Sequence, residues 1–397
     1  MEAPSSNPDT QTARSGKVPV VLQILPSLQT GGVERGAVEV ARAITEAGWQ
    51  AIVASSGGQM VHEVQRAGAL HIDFPADSKN PIQMWRNVNR LVALIKEHEV
   101  DILHARSRAP AWSALSAARK TGISFMTTFH GNYGAGSPLK RLYNSVMARG
   151  DRVIAISQFI GNQVCERYGA DPERVRVIPR GVDIASFDPA AVSAQRVIQL
   201  AEQWRVPDDA RVVMLPGRLT RWKGQLVLIE ALARLPDRTG LRCILVGSDQ
   251  GRSGYREELE NEVSRRGLAS TVQFAGDCRD MPAAFMLADV VVSASTDAEA
   301  FGRVIIEAQA MGRPVIATSH GAARETVFEG ETGWLVPPGD ASALVGALEE
   351  ALGLDRYARE SLAARAIAQV RRDYTRELMC DRTLSVYEEL LAEKAAP

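Results

Sequence analysis

The stretch Val18–Ser55, VPVVLQILPSLQTGGVERGAVEVARAITEAGWQAIVAS, carries the decision on the fold. Val18–Leu25 is a nearly unbroken apolar run and predicts a buried strand. Val33–Ala47 has the amphipathic spacing of a helix and is closed by Gly48, and Gln50–Ser55 is again an apolar run. Buried strand, helix, buried strand is the pattern of a parallel sheet covered on both faces.

The rhythm continues outward from this unit. Strands are predicted at Asp101–Ala105, Ser124–Phe129, Arg152–Ile156 and Val175–Ile178, with helices between them at Ile82–His98 and Gln158–Tyr168. It pauses over Asp188–Asp209, which holds Pro189, Pro207 and one polar helical stretch. A second series then runs through Arg211–Leu215, Cys243–Gly247, Val272–Ala275, Val290–Ser293, Val315–Thr318 and Trp334–Val336, and residues 340–394 read as helix throughout. The expected architecture is α/β, with two doubly wound Rossmann-like domains facing each other across a cleft. The expected divisions are a disordered leader at 1–17, a first domain at 18–187, a connection at 188–209, a second domain at 210–374 and a C-terminal helix at 375–397. Ligands of such sheets collect beyond the carboxyl ends of the strands, which places the site between the domains.

Composition narrows the classes. Of 397 residues, 45% are hydrophobic and 23% charged, the proportions of a soluble globular chain. Lys plus Arg number 46 and Asp plus Glu 47, a net charge of −1 that argues against general binding to nucleic acid. The scattered Cys165, Cys243, Cys278 and Cys380 form no CxxC pair and have no His at zinc spacing. Reduced thiols of a cytoplasmic protein are expected, not a disulfide scaffold or structural zinc. No stretch approaches the roughly 18 apolar residues of a membrane span, and the polar leader lacks a signal peptide's apolar core.

Four segments hold residues suited to chemistry. In Ser293–Gly312, SASTDAEAFGRVIIEAQAMG, a helix begins near Phe301 or Gly302. The N–H groups of Phe301, Gly302 and Arg303 then point out of the helix start, where the macrodipole favours an anion. Glu299 precedes that helix and Glu307 lies inside it. Carboxylates beside an anion site suit a sugar phosphate: donors for the phosphate, acids for the hydroxyls. The bland alternatives are a dipole-stabilised acid for Glu299 and a solvated helix face for Glu307. In Pro216–Gln225, PGRLTRWKGQ, Arg218 and Lys223 sit at the carboxyl edge of the second domain's first strand and can grip phosphate oxygens, while Arg221 reads as solvated. In Leu25–Gly36, Gly31 and Gly32 can offer backbone N–H groups to an oxyanion. In TTFHG, His130 ends a strand; it donates to a substrate, acts as an acid or base, or is structural. Arg106 and Arg108 form a further basic cluster. Lys140, Arg141, Arg149 and Arg152 flank Leu139, Leu142, Tyr143, Val146 and Met147 as a basic amphipathic helix, fit either for an anionic membrane or acceptor or for a solvated face.

Together these segments resemble the retaining glycosyltransferases of family 4, which have the GT-B fold. The resemblance is carried by Glu-x7-Glu in EAFGRVIIE, by GRLTRWKG, TGGVERGAVEVARAI, RVIAIS, VIPRGVD and GRPVIAT, and runs from about Val18 to the C-terminus. Ala300 stands where many members have Gly, and VGSDQG replaces a more glycine-rich turn. The resemblance implies a nucleotide-diphosphate-sugar donor held mainly by the second domain. Arg218, Lys223 and the N–H groups near Phe301, Gly302 and Arg303 would hold the diphosphate, Glu299 the sugar hydroxyls and Glu307 the ribose. Gly31 and Gly32 would approach the phosphates, His130 the transferred sugar, and Phe274–Cys278 the base. It further implies a retaining, metal-independent transfer with no cofactor beyond the donor. The acceptor would be a glycan or glycolipid of the cell envelope, at or near the cytoplasmic face of the inner membrane, and no obligate protein partner is expected. A sugar-nucleotide epimerase and a non-catalytic nucleotide-sugar binder of the same fold are the competing readings.

Overall fold

The computed structural model describes residues 17–78, 80–134, 136–251 and 253–395. Except for Lys17, the expected leader lies outside the described residues.

Two wholly parallel sheets form the frame. The first holds β1 (Val20–Ile24), β2 (Gln50–Ser55), β3 (Leu70–Asp73), β4 (Ile102–Ala105), β5 (Ser124–Phe129), β6 (Arg152–Ala155) and β7 (Val175–Val177), in the order β3-β2-β1-β4-β5-β6-β7. The second holds β8 (Arg211–Pro216), β9 (Leu241–Val246), β10 (Val272–Gly276), β11 (Val290–Ser293), β12 (Val315–Thr318) and β13 (Trp334–Val336), in the order β10-β9-β8-β11-β12-β13. Each order reverses once, between β1 and β4 and between β8 and β11. Those switch points open crevices at the strands' carboxyl ends. The loops after β1, β8 and β11 are the ones that carry the glycine pair, the Arg/Lys segment and the Glu-x7-Glu motif. The first six strands follow the same order in both lobes, the first lobe adding β7 at its edge, and this brings three separate segments to one cleft.

β1 is buried at all five positions, its apolar run broken only by Gln23, whose buried amide donates to Ala37 O and accepts from Arg106. The apolar-run reading misses β3, whose sequence is LHID. It pairs only with β2 at the sheet edge, its Leu70 and Asp73 are exposed, and it therefore needs no continuous apolar run. The helical tail divides into three helices, Ala341–Leu352, Arg356–Asp373 and Arg376–Ala395, the last beginning one residue past the expected start at 375. Asp355 caps the second by accepting from Ala358 N at 2.8 Å. At the last break Val182 N donates to Tyr374 O (2.8 Å) and Arg376 N to Val182 O (2.9 Å), which turns the chain back onto the first lobe. The segment 188–209 carries the helix Ala194–Gln203, and Leu200 and Trp204 bury against Val212, Phe285 and Met311 of the second lobe.

The returning helix inserts Met379, Val386, Tyr387 and Leu390 among Val21, Leu25, Ala41 and Ile102. Tyr387 is fully buried. Its hydroxyl lies 2.7 Å from His104 Nδ1, and His104 Nε2 lies 2.7 Å from Thr128 Oγ1. Tyr387→Phe keeps the shape and strips His104 of one buried partner. It is expected to cost about 1–3 kcal/mol of stability, the penalty for an orphaned buried polar group. Equal denaturant midpoints for the two proteins would show that this bond contributes nothing.

Candidate active site

The second lobe supplies a buried ion pair. After β8 the chain makes a tight turn over Arg221–Lys223 that ends at Gly224, φ 73°. Gly224 lies so close to the Ala294 carbonyl that a Cβ would overlap its oxygen. Thr296 N also donates to Trp222 O at 2.7 Å. This seam sets Lys223 against the loop that follows β11. Lys223 Nζ lies 2.7 Å from Glu299 Oε1, with only 15% and 14% of the two side chains exposed. Ser295 Oγ donates to the same carboxylate oxygen. The amine also sits 4.4 Å from the Trp222 ring centroid, a cation–π distance. Arg218 is exposed and reaches Gln250 Oε1 at 3.4 Å, and Arg221 pairs with Glu258 at the surface, the solvated position its sequence suggests.

Helix Arg303–Ala310 starts behind this pair. Its N-cap is Gly302, left-handed at φ 80° and without a side-chain cap; Ile305 N donates to Gly302 O at 3.0 Å, and the N–H groups of Arg303 and Val304 remain open to a ligand. Phe301 is buried edge-on to Tyr374, which anchors the helix start. Arg303 Nη2 lies 2.9 Å from Glu307 Oε1. Glu307 is not a solvated helix face: its side chain is 13% exposed, and burial raises its carboxyl pKa against the pull of Arg303. The Arg303 Nε is buried and has no partner among the described residues. As the structure stands, Arg303 occupies the carboxylate that the family resemblance gives to a ribose.

Across the cleft, Gly31 caps helix Gly32–Glu46, again without a side-chain bond. Its φ is 175°, ordinary extended backbone, so Gly31 is not demanded by conformation. Gly32 stands where a Cβ would come within 3.9 Å of Arg303 Cδ, so the pair faces the second lobe's helix start. His130 follows β5, with Nδ1 3.1 Å from Arg180 Nη2. Burial first, then the charges of Arg180 and Arg106, hold the imidazole pKa well below its usual 6.5. His130 is therefore held in its neutral form, which does not suit it to give up a proton as a general acid.

Two connected cavities result. One of about 990 Å³ is lined by Gly32, His130, Arg180, Arg218, Trp222, Glu299, Phe301, Gly302 and Arg303. The other, about 1020 Å³, is lined by Gly31, Arg35, Glu39, Arg279, Arg303 and Glu307. Gly32 and Arg303 line both, Glu299 the first and Glu307 the second. A third cavity of about 500 Å³ lies at the opposite end of the first lobe, near Arg119, Arg152 and Lys394, remote from these groups. The lobes touch around the site. Ser157 Oγ donates to Ala300 O at 2.7 Å and Asn132 Nδ2 to Ala298 O at 3.3 Å. Glu325 accepts from Gln158 N and Phe159 N at 2.8 and 2.7 Å.

Of the sequence candidates, Gly32, His130, Arg218, Glu299, Phe301, Gly302 and Arg303 share one cavity, Lys223 touches it through Glu299, and Gly31 and Glu307 open onto its neighbour. Arg180, Ser295, Asn132 and Ser157 were missed as site residues. VIPRGVD contains Arg180, but a strand-border motif gives no sign of where its side chain ends. The basic cluster also divides. Arg106 is inside the lobe, bonded to Gln23 Oε1 at 2.6 Å, so it is not an acceptor-facing surface cation. Arg108 lies 4.0 Å from the Tyr133 ring centroid. Arg152 is committed to Glu389 at 3.0 Å. Val146 and Met147 are core, whereas Leu139 and Leu142, beside Lys140 and Arg141 on helix Pro138–Ser145, are exposed, as are Ile82 and Trp85 on helix Pro81–Glu97. Among the described residues, no helix is long and apolar enough to cross a membrane.

A two-lobed parallel α/β frame with an anion-ready cleft between switch points defines a GT-B protein. Residues 30–186 match the family model Glycosyltransferase Family 4, and residues 198–369 match Glycosyl transferases group 1. A D-inositol 3-phosphate glycosyltransferase of Jonesia denitrificans is 30% identical over 97% of this chain and 93% of its own. The chain belongs to the family 4 glycosyltransferases. Among solved structures, a glycosyltransferase from Rickettsia africae superposes with TM-score 0.87 at 36% identity, covering 94% of this chain and 99% of the other. The Anabaena protein Alr3699/HepE, solved in complex with UDP and glucose, gives TM-score 0.82 at 25% identity, over 94% and 100%.

Proposed function

We propose that this glycosyltransferase moves a hexosyl group from a nucleoside-diphosphate sugar to a hydroxyl of a cell-envelope glycan or glycolipid, retaining the anomeric configuration and using no metal. The observation that carries this reading is the buried Lys223–Glu299 pair beside the uncapped helix start at Gly302. It sets a cation and backbone donors for a diphosphate within reach of a carboxylate for sugar hydroxyls. The Anabaena neighbour's complex with UDP and glucose supports a donor of this class.

In the proposed reaction the bond between the sugar's anomeric carbon and the β-phosphate oxygen breaks. Lys223, Arg218 and the N–H groups at Phe301–Arg303 take up the charge that develops on that oxygen. The acceptor oxygen bonds to the anomeric carbon on the same face, and its proton passes to the departing phosphate. Glu299 holds the sugar hydroxyls. Glu307 receives the ribose once Arg303 turns from it to the diphosphate. The exposed Ile82, Trp85, Leu139 and Leu142, with Lys140 and Arg141, support an acceptor presented at an anionic membrane on its cytoplasmic side.

The test is incubation with UDP-, GDP- and ADP-sugars, with and without a hydroxyl acceptor panel, in chelator. One donor is expected to stabilise the fold thermally and to yield product of unchanged anomeric configuration by NMR, only when an acceptor is present and at a rate the chelator does not alter. An inverted product, an altered sugar formed without acceptor, or loss of turnover in chelator would each overturn the corresponding part.

A further inference from the structure

Arg180 lies in the stretch between β7 and Val182 and is almost fully buried. Its Nη2 donates to the Gly32 carbonyl at 2.7 Å and lies 3.1 Å from His130 Nδ1. One guanidinium nitrogen therefore joins three segments: the stretch bonded to the returning helix at Val182, the glycine loop after β1, and the end of β5. The room for this is made by Gly36, where a Cβ would overlap Arg180 Nη1. A side chain at position 36 would push the guanidinium away from both partners.

The chemistry of the contact fixes a proton. A guanidinium carries donors only, so the imidazole nitrogen facing it must accept and is bare. A neutral imidazole with bare Nδ1 carries its hydrogen on Nε2. That Nε2 is buried without a partner among the described residues, and the ring lines the cavity that also holds Glu299 and Arg303. A buried N–H without an acceptor is costly, and a ligand oxygen entering the cavity supplies one. The geometry points to Arg180 as a positioning residue: it locks His130 in the Nε2–H form as a hydrogen-bond donor to the bound sugar or acceptor, and it pins the glycine loop to the same point. The identity of that ligand oxygen rests on the glycosyl-transfer reading; the locked tautomer does not.

The charged and titratable groups acting on His130 are Arg180, Arg106 and His104; Tyr133 lies against its backbone, and Arg167, Arg218, Asp297, Glu299 and Arg303 line the same cavity. Burial with the neighbouring Arg106 and Arg303 pushes Arg180 down to about 9, so it remains charged at neutral pH. His130 has its pKa lowered, so it stays neutral well below pH 6.5, and its donor role adds no ionisation to the rate between pH 6 and 8.

The test has two arms on the full chain. Long-range ¹⁵N–¹H correlation NMR of histidine-labelled protein, with His130→Gln used to assign the ring among the six histidines, is expected to show bare Nδ1 and protonated Nε2 from pH 6 to 8. Kinetics of Arg180→Met and Arg180→Lys form the second arm. In both, kcat is expected to fall about tenfold or more, the scale of a misplaced catalytic contact, with donor KM within about twofold. In Arg180→Met, which removes the charge, the His130 pKa rises and a new pH dependence should appear; Arg180→Lys keeps the charge and should not show it. A proton on Nδ1 in the unaltered protein, or wild-type kcat and pH profile in Arg180→Met, overturns the assignment. Should Arg180→Met fail to fold, the tautomer in the unaltered protein decides. If the unaltered protein shows the Nε2–H form but transfers no sugar, the transfer reading falls and the role of Arg180 in fixing the tautomer stands.

Discussion

Lys223→Ala is expected to lower kcat by roughly 10²–10³-fold, the cost of removing one donor from a site that stabilises developing negative charge. Two losses coincide. The cation for the departing diphosphate disappears, and Glu299, with 14% of its side chain exposed, keeps Ser295 but loses its counter-charge. The carboxylate then relaxes from its place, and its hold on sugar hydroxyls weakens. Because part of this loss is in the transition state, kcat should fall more than donor KM rises. Arg218→Ala should act more weakly and mainly on KM, since Arg218 is exposed and its contact with Gln250 is long, 3.4 Å. Steady-state kinetics of both variants with the donor found by the thermal screen decide the matter. A Lys223→Ala enzyme within a few-fold of the parent would remove the charge-stabilising role of the pair.

Gly224→Ala is expected to destabilise the second lobe by about 3 kcal/mol or more, because two mechanisms add. The backbone there is left-handed at φ 73°, which is strained for any residue with a Cβ. The added methyl would also overlap the Ala294 carbonyl oxygen, part of the strand-end backbone that leads into the Glu299 loop. The chain must shift to admit it, and the shift separates Lys223 from Glu299. Thermal unfolding should show an earlier transition, and turnover should fall even at temperatures where the protein stays folded. An unchanged melting temperature would mean that the close approach of these two loops is not a constraint. Arg221→Ala, one turn away but at the surface in a pair with Glu258, serves as the neutral comparison, since exposed ion pairs contribute little.

The legible parts of this fold share a property. β1, β11 and β12 are buried along almost their whole length, so each is written as a mostly apolar run. β3 has an exposed edge and an exposed Leu70, so LHID carries no such mark. Helix ends were readable where a residue has a local task, as Gly302 does in capping Arg303–Ala310. The break at Tyr374–Thr375 falls where the last helix was expected to begin, but its cause, the bonds to Val182 nearly 200 residues earlier in the chain, is not local.

The same division runs through the site. Strand runs, turn glycines and the Glu-x7-Glu spacing are local, and the chain alone determined from them two parallel α/β lobes and the loops at their carboxyl ends, because burial and backbone conformation write periodic signals over a few residues. The contacts between side chains from distant segments came only from the tertiary structure. Lys223 meets Glu299 across 76 residues, Arg180 meets His130 across 50, and Arg106, basic in sequence, turns inward to Gln23. Such pairings depend on strand register, on loop closure at Gly224 and on room left by Gly36, quantities that no short window of sequence contains.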